Sequence, residues 1–179
     1  MSDFTHLDPS GRLQMVEVAD KPETWRQAAA RCSITLGPQI FPRLLAGNLP
    51  KGDVWAAARL AGIMAAKNTA QLIPLCHPLP LTGIDIDFAT EPQTHTVIIN
   101  SRVRTFARTG VEMEALVAAA AAALTIYDMC KAIDRGMIIH DLFLTEKTGG
   151  QRGDYLHPLT GGLAPATENP AEPSVNHEP

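Results

Sequence analysis

Three short constellations in this chain carry groups able to move protons or hold charge. Asp128 and Lys131 stand three residues apart in a helical pattern, so their side chains are neighbours. On an open surface such a pair contributes well under ~1 kcal/mol. Tyr127, Met129 and Cys130 crowd it with poorly solvated groups, and a partly buried Asp–Lys pair is suited to general acid–base work. A lysine is a base at neutral pH only when its pKa is lowered, and Asp128 pulls the other way, so the two are assigned jointly. Lys51-Gly52-Asp53 stands just ahead of a second helix. Free backbone N–H groups favour anions there, Lys51 adds a cation, and Gly52 lets a ligand approach the backbone. The third constellation is Leu72–Gly83, LIPLCHPLPLTG, which presents Cys76 and His77 among apolar side chains and three prolines. Pre-proline restriction makes it a stiff, extended segment, suited to walling a small molecule.

Two acids open the long helix. Thr109 precedes Glu112 by three residues, the capping-box spacing, which gives Glu112 a structural role. Glu114 has no such explanation and is the better candidate for accepting hydrogen bonds from an amino-substituted heterocycle. Asp128 lies fourteen residues beyond Glu114, roughly 21 Å at helical rise. If both serve one ligand, that ligand is large or the site is built across subunits. In the cross-subunit case Lys51 and Asp128 are expected to come from different chains. Lys67, Arg102, Arg104, Arg108 and Lys147 are further cations, each more simply a solvated charge when taken singly.

The elements that must position these groups follow from periodicity. Gln14–Val18 alternates and reads as a short strand. The stretch after Pro22 is ambiguous, helical by propensity at its start and strand-like at Cys32–Leu36. Pro38–Ala46 reads as a short helix. Asp53 caps a helix whose Val54, Ala57, Ala58, Ala61, Met64 and Ala65 fall at helical spacing. Thr82–Phe88 and Thr94–Arg104 read as a long antiparallel hairpin. Val111–Ile133 is the longest helix, with an unbroken alanine run Ala118–Ala123 that asks for close packing. Met137–Leu144 is a final strand. Antiparallel strands with helices on one face make an α+β sandwich.

Composition bounds the rest. A chain of 179 residues with 45% hydrophobic content fits one domain, 1–150, followed by a Pro/Gly-rich tail, 151–179, expected to be disordered. The tail carries Arg152 against Asp154, Glu168, Glu172 and Glu178, most of the formal charge of −4. The nearly neutral remainder argues against a broad nucleic-acid-binding surface. Three scattered cysteines, Cys32, Cys76 and Cys130, suit neither a disulfide framework nor a zinc site. With no signal peptide and no uninterrupted apolar run of membrane-spanning length, the expected compartment is the cytoplasm.

These motifs, in this order, resemble one family: cyclic pyranopterin monophosphate synthase of molybdenum cofactor biosynthesis. The matching segments are FTHLD near the start, KGDV at Lys51, ARLAGIMAAK ending at Lys67, LIPLCHPLPLTG, RTGVEMEAL at Arg108–Leu116, ALTIYDMCKAIDRGM at Ala123–Met137 and EKTGG at Glu146–Gly150. The resemblance implies a ferredoxin-like α+β fold and a homohexamer, a trimer of dimers. It implies conversion of (8S)-3′,8-cyclo-7,8-dihydroguanosine 5′-triphosphate into cyclic pyranopterin monophosphate with loss of diphosphate. It carries substrate-binding roles to Leu75, Cys76, His77, Met113 and Glu114, catalytic roles to Asp128, Lys131 and Lys51, and basic site positions to Lys67 and Lys147. No redox cofactor or metal-ligand cluster is implied, and a magnesium requirement is left open. The chain departs from the family pattern at Asn68, Ala70 and Gln71, where a cation following Lys67 is replaced, so weaker phosphate contact is expected. The rival reading is a non-catalytic oligomeric nucleotide-binding protein using the same cations.

Overall fold

The computed structural model describes residues 7, 8, 10–151 and 153–162. Its spine is a five-stranded antiparallel sheet in the order β2-β3-β1-β4-β5. The strands are β1 (Thr24–Thr35), β2 (Leu81–Glu91), β3 (Thr96–Ala107), β4 (Ile138–Thr148) and β5 (Tyr155–Leu156). Helix α2 (Val54–Lys67) connects β1 to β2, and α4 (Glu112–Cys130) connects β3 to β4. The short helices α1 (Phe41–Leu45) and α3 (Thr69–Leu72) flank α2. Setting aside the two-residue β5, β1-α2-β2-β3-α4-β4 with β1 and β3 central is the split βαβ arrangement.

The ambiguous stretch after Pro22 is strand from Thr24 to Thr35. Its Arg- and Ala-rich composition favours helix only while isolated, whereas β1 is hydrogen-bonded on both sides, by β3 and by β4. Alternation then sorts its side chains. Ala28, Ala30, Cys32 and Ile34 face the helices opposite Val103, Ser101, Ile99 and Val97, and all eight are buried. On the open face Trp25 and Phe106 meet edge to face at 5.4 Å between ring centroids.

The alanine run does what its lack of bulk suggests. Ala115, Ala118, Ala119, Ala122 and Ala123 are completely buried, and a Cβ added to Gly62 of α2 would lie 3.0 Å from the carbonyl oxygen of Ala118. The two helix backbones therefore nearly touch. With 19 residues and a mean hydropathy of 1.5, α4 has the length and composition of a membrane span. Here it is a core helix, packed against α2, β1, β3 and β4.

Several expectations fail locally. Gln14–Val18 pairs with no strand; only Leu13, just before it, makes an isolated bridge, to Leu7. The long helix ends at Cys130 rather than Ile133, and Val111 is its N-cap without a side-chain hydrogen bond, so no Thr109–Glu112 capping box forms. In α2 the buried set is Val54, Ala58, Gly62 and Ala66, a stripe of every fourth residue, while Met64 is exposed. The tail is not structureless from its start, because Tyr155–Leu156 pairs with the end of β4. Residues 163–179, and Phe4–His6 of the FTHLD motif, lie outside the described residues.

Candidate active site

The sequence candidates divide between the two ends of α4. At its C-terminal end Asp128 accepts from Lys131 Nζ at 2.6 Å and from Lys51 Nζ at 3.0 Å. Lys51 also donates to the backbone carbonyl of Asp128 at 2.9 Å. Lys51 reaches this point because Asp53 caps α2, accepting from the Ala56 amide at 3.0 Å, and the loop before it turns back at Gly52, whose φ is +90°. The carboxyl of Asp128 is held below the usual range, first by its hydrogen bond from Lys131 and then by that from Lys51. The pair is not partly buried as expected: side-chain exposure is 56% for Asp128 and 49% for Lys131. The expectation that Lys51 and Asp128 come from different chains also fails, since both meet within one.

The remaining candidates gather around the N-terminal end of α4. Leu75, Cys76, His77, Met113 and Glu114 share the lining of one cavity of about 190 Å³. His77 and Glu114 also face a second, of about 260 Å³, whose wall includes Lys67. The proline-rich segment turns at Ile73–Cys76, where the Cys76 amide donates to Ile73 O at 3.1 Å, before running extended. His77 Nε2 lies 2.9 Å from Val16 O, so the imidazole holds the N-terminal segment against the cavity. Glu114 is only 4% exposed, and desolvation, the largest cause, pushes its carboxyl up to about 7, with the charge of Glu112 adding to it. It is thus able to accept from a ligand N–H when ionised or donate a proton when neutral. The thiol of Cys76 is raised by desolvation and then by Glu114, which makes it a neutral lining group.

Lys147 lines a third cleft, of about 170 Å³, together with Lys21, Arg26, Arg108 and Glu112. Lys21 and Glu112 also line the cavity of His77 and Glu114, so the three spaces adjoin. The carboxylate of Glu112 is 3.4 Å from Lys147 Nζ, which replaces the capping role expected of it. Gly149 shapes this corner: its φ is +78°, and a Cβ there would lie 1.9 Å from the carbonyl oxygen of Trp25.

Sequence reasoning missed Lys21 and Arg26, gave Glu112 only a capping role, and left Arg108 among the solvated charges. The available signal was at Arg26. Read as a strand, β1 puts it on the same face as Ala28, Ala30, Cys32 and Ile34, an arginine in line with core residues. Of the departures, Asn68 donates its side-chain amide to Met64 O at 2.8 Å, while its own backbone N–H reaches the carbonyls of Ala65 and Ala66. It closes the C-terminus of α2 while lining the cavity beside Lys67. Among the described residues no group of three His, Cys, Asp or Glu side chains is placed to hold a metal ion.

The sequence profile described as the MoaC family matches residues 15–150. A protein of Herpetosiphon aurantiacus named cyclic pyranopterin monophosphate synthase is 58% identical over 157 residues, 88% of this chain and 96% of the relative. Proteins of the same name from Roseiflexus sp. and Halalkalibacterium halodurans are 56% and 52% identical over 157 residues, covering 88% and 87% of this chain and 99% and 95% of theirs.

Proposed function

The chain belongs to the MoaC family, and from that membership we propose that it is a cyclic pyranopterin monophosphate synthase, a lyase of molybdenum cofactor biosynthesis. Its substrate is a GTP-derived small molecule, (8S)-3′,8-cyclo-7,8-dihydroguanosine 5′-triphosphate, and its products are cyclic pyranopterin monophosphate and diphosphate. The observation that carries this reading is Asp128 clamped between Lys131 and Lys51 at 2.6 and 3.0 Å. Binding alone would not require such a cluster, whereas rearranging the sugar and imidazole-derived parts of the substrate requires protons to be taken and returned.

The roles divide by geometry. Asp128 and Lys131 act jointly as acid and base, and Lys51 stabilises developing negative charge. Glu114, buried and near neutral in pKa, reads the guanine-like edge. His77 positions phosphate or sugar oxygens, Leu75, Cys76 and Met113 wall the heterocycle, and Lys67 and Lys147 supply positive charge at either side. The conversion moves protons and a phosphoryl bond, and this reading calls for no redox cofactor.

One chain does not bring all of these together. The Asp128 cluster and Glu114 are separated by fourteen residues of a straight helical path, roughly 21 Å. We read the working enzyme as a homo-oligomer, a hexamer built as a trimer of dimers, in which one protomer's Lys51, Asp128 and Lys131 close over its partner's His77 and Glu114. Exposed apolar side chains support such contacts: Trp25 and Phe106 on the open sheet face, and Leu60, Met64 and Leu124 on the helix layer. The assigned compartment is the cytoplasm.

Incubating the purified protein with the cyclised GTP precursor and measuring diphosphate tests the reading. Stoichiometric release is expected. Tight binding of the precursor without diphosphate release would instead select the non-catalytic nucleotide-binding protein.

A further inference from the structure

The open face of the sheet carries a hydrogen-bonded relay that the proposed reaction does not use. Thr35 Oγ1 lies 3.0 Å from His140 Nε2, and His140 Nδ1 lies 2.9 Å from Asp141 Oδ2. With Asp141 accepting the Nδ1 proton, Nε2 is left to accept from the Thr35 hydroxyl. That is the order of a nucleophilic hydroxyl, its general base and the carboxylate that orients the base. Thr96 is the cross-strand partner of Thr35, and its Oγ1 stands 2.9 Å from Thr35 Oγ1. Thr96 is only 4% exposed, so its hydroxyl is a held donor beside the nucleophile.

Successive residues of a regular strand point to opposite faces, which would keep His140 and Asp141 apart. A bulge in β4 brings them together. Arg31 pairs with Phe143 and Ser33 with His140, which leaves Asp141 and Leu142 opposite Cys32 alone. Asp141 takes a φ of +52°, uncommon for a residue with a side chain. The backbone thus leaves regular strand geometry at the residue whose carboxylate holds the imidazole. Side-chain exposure is 36% for His140 and 65% for Asp141, and Thr35 is partly exposed, so a small molecule can reach the relay. Ile138, opposite Thr35 in the β1–β4 pairing, is exposed and offers an apolar surface beside the hydroxyl.

We propose that Thr35, His140, Asp141 and Thr96 form a second active site, which transfers the acyl group of small activated esters to water by way of Thr35. Thr35 Oγ1 attacks the ester carbonyl carbon while His140 Nε2 takes the hydroxyl proton. Thr96 donates to the carbonyl oxygen as it becomes an oxyanion. Collapse breaks the bond to the leaving alcohol, which departs with the proton from His140 and leaves an acyl ester on Thr35. Water, giving its proton to His140, attacks that ester, and the proton passes to Thr35 as the carboxylic acid is released. Water is the only co-reactant. The Asp128 cluster takes no part, since it belongs to the helix layer on the other side of the sheet.

The test is release of p-nitrophenol from p-nitrophenyl acetate by the full chain, with peptide mass spectrometry of protein quenched during turnover. Wild type is expected to show saturable release and one acetyl group on the peptide containing Thr35. Thr35→Val exchanges only the hydroxyl for a methyl and should lose that acetyl and at least about tenfold in rate, whereas Thr35→Ser should keep both. Asp141→Asn preserves the left-handed backbone, which asparagine also tolerates, and should lose at least about tenfold in rate. It decides the matter if Thr35→Val fails to fold. Acetylation confined to lysines, release that does not saturate, or a rate unchanged in either folded variant would overturn the proposal.

Discussion

Lys51 binds Asp128 twice, at the carboxylate from 3.0 Å and at the backbone carbonyl from 2.9 Å, although 77 residues separate them. The second bond matters chemically. It ties the ammonium to the end of α4, where carbonyl groups carry partial negative charge, so the cation stays in place while the carboxylate changes partner or protonation state. Among the described residues Lys131 has no such second tether and depends on its spacing from Asp128 along the chain.

That difference gives two variants distinct signatures. Asp128→Asn and Lys131→Ala are each expected to abolish diphosphate release while leaving precursor binding within about tenfold of wild type. In Lys131→Ala the Asp128 carboxyl should also titrate at higher pH than in wild type, because Lys131 is the largest cause of its lowered pKa. Carboxyl NMR titration reads this directly. Near-normal product formation by either variant would refute the acid–base assignment.

Subunit mixing locates the site in the assembly. Because Lys51 and Asp128 touch within one chain, mixing Lys51→Ala with Asp128→Asn subunits should restore nothing. Mixing Asp128→Asn with Glu114→Gln subunits should restore activity, towards about a quarter of wild type for a two-fold pair with one intact site in each mixed dimer. Activity after verified exchange is the measurement, and complementation in the first mixture but not the second would reverse the proposed arrangement.

Glu114 makes stability depend on pH. Its folded pKa is raised from 4.5 to about 7, chiefly by desolvation. The folded state therefore holds a proton that the unfolded state has lost. The stabilisation is complete below 4.5 and disappears as pH rises through 7. Glu114→Gln should flatten this segment of the stability curve and melt higher than wild type at pH 8, as followed by thermal denaturation. An unchanged pH slope in the variant would show that the carboxyl titrates normally.

Asn68 sits where a cation is expected, and it has a structural bond there. Asn68→Arg should lower the KM for the precursor by placing a second charge beside Lys67, while costing about 1 kcal/mol of stability for the lost bond to Met64 O. Steady-state kinetics and urea unfolding measure the two effects separately. A KM that does not fall would place the phosphates away from this cavity.

Much of the molecule was legible because local pattern and tertiary context agree. The β2–β3 hairpin shows its alternation at Ile84, Ile86 and Phe88, and the Asp53 cap works as its position suggests. Elsewhere a local signal lost to a long-range one. The segment containing Gln27–Arg31 is helical by propensity, but pairing with two strands decides it. Glu112 has capping-box spacing, yet its carboxylate faces Lys147, a residue brought near only by the β1–β4 pairing. Pairing with β3 hid Arg26, whose side chain donates to Ala107 O and Arg108 O across the sheet. The Asp128–Lys131 pair could be read from spacing alone, whereas Lys51 joins it only once α2 and α4 pack.

The alanine-lined α4 has a consequence beyond packing. It acts as a shaft keyed into the core along its whole length, with a chemical group mounted near each end. Its backbone lies too close to α2 at Gly62 and Ala118 for slippage. One inserted residue would rotate Asp128 by about 100° relative to Glu114 and advance it by about 1.5 Å. The phase between the two ends is thus set by counting residues, and no adjustment of the surrounding loops would restore it.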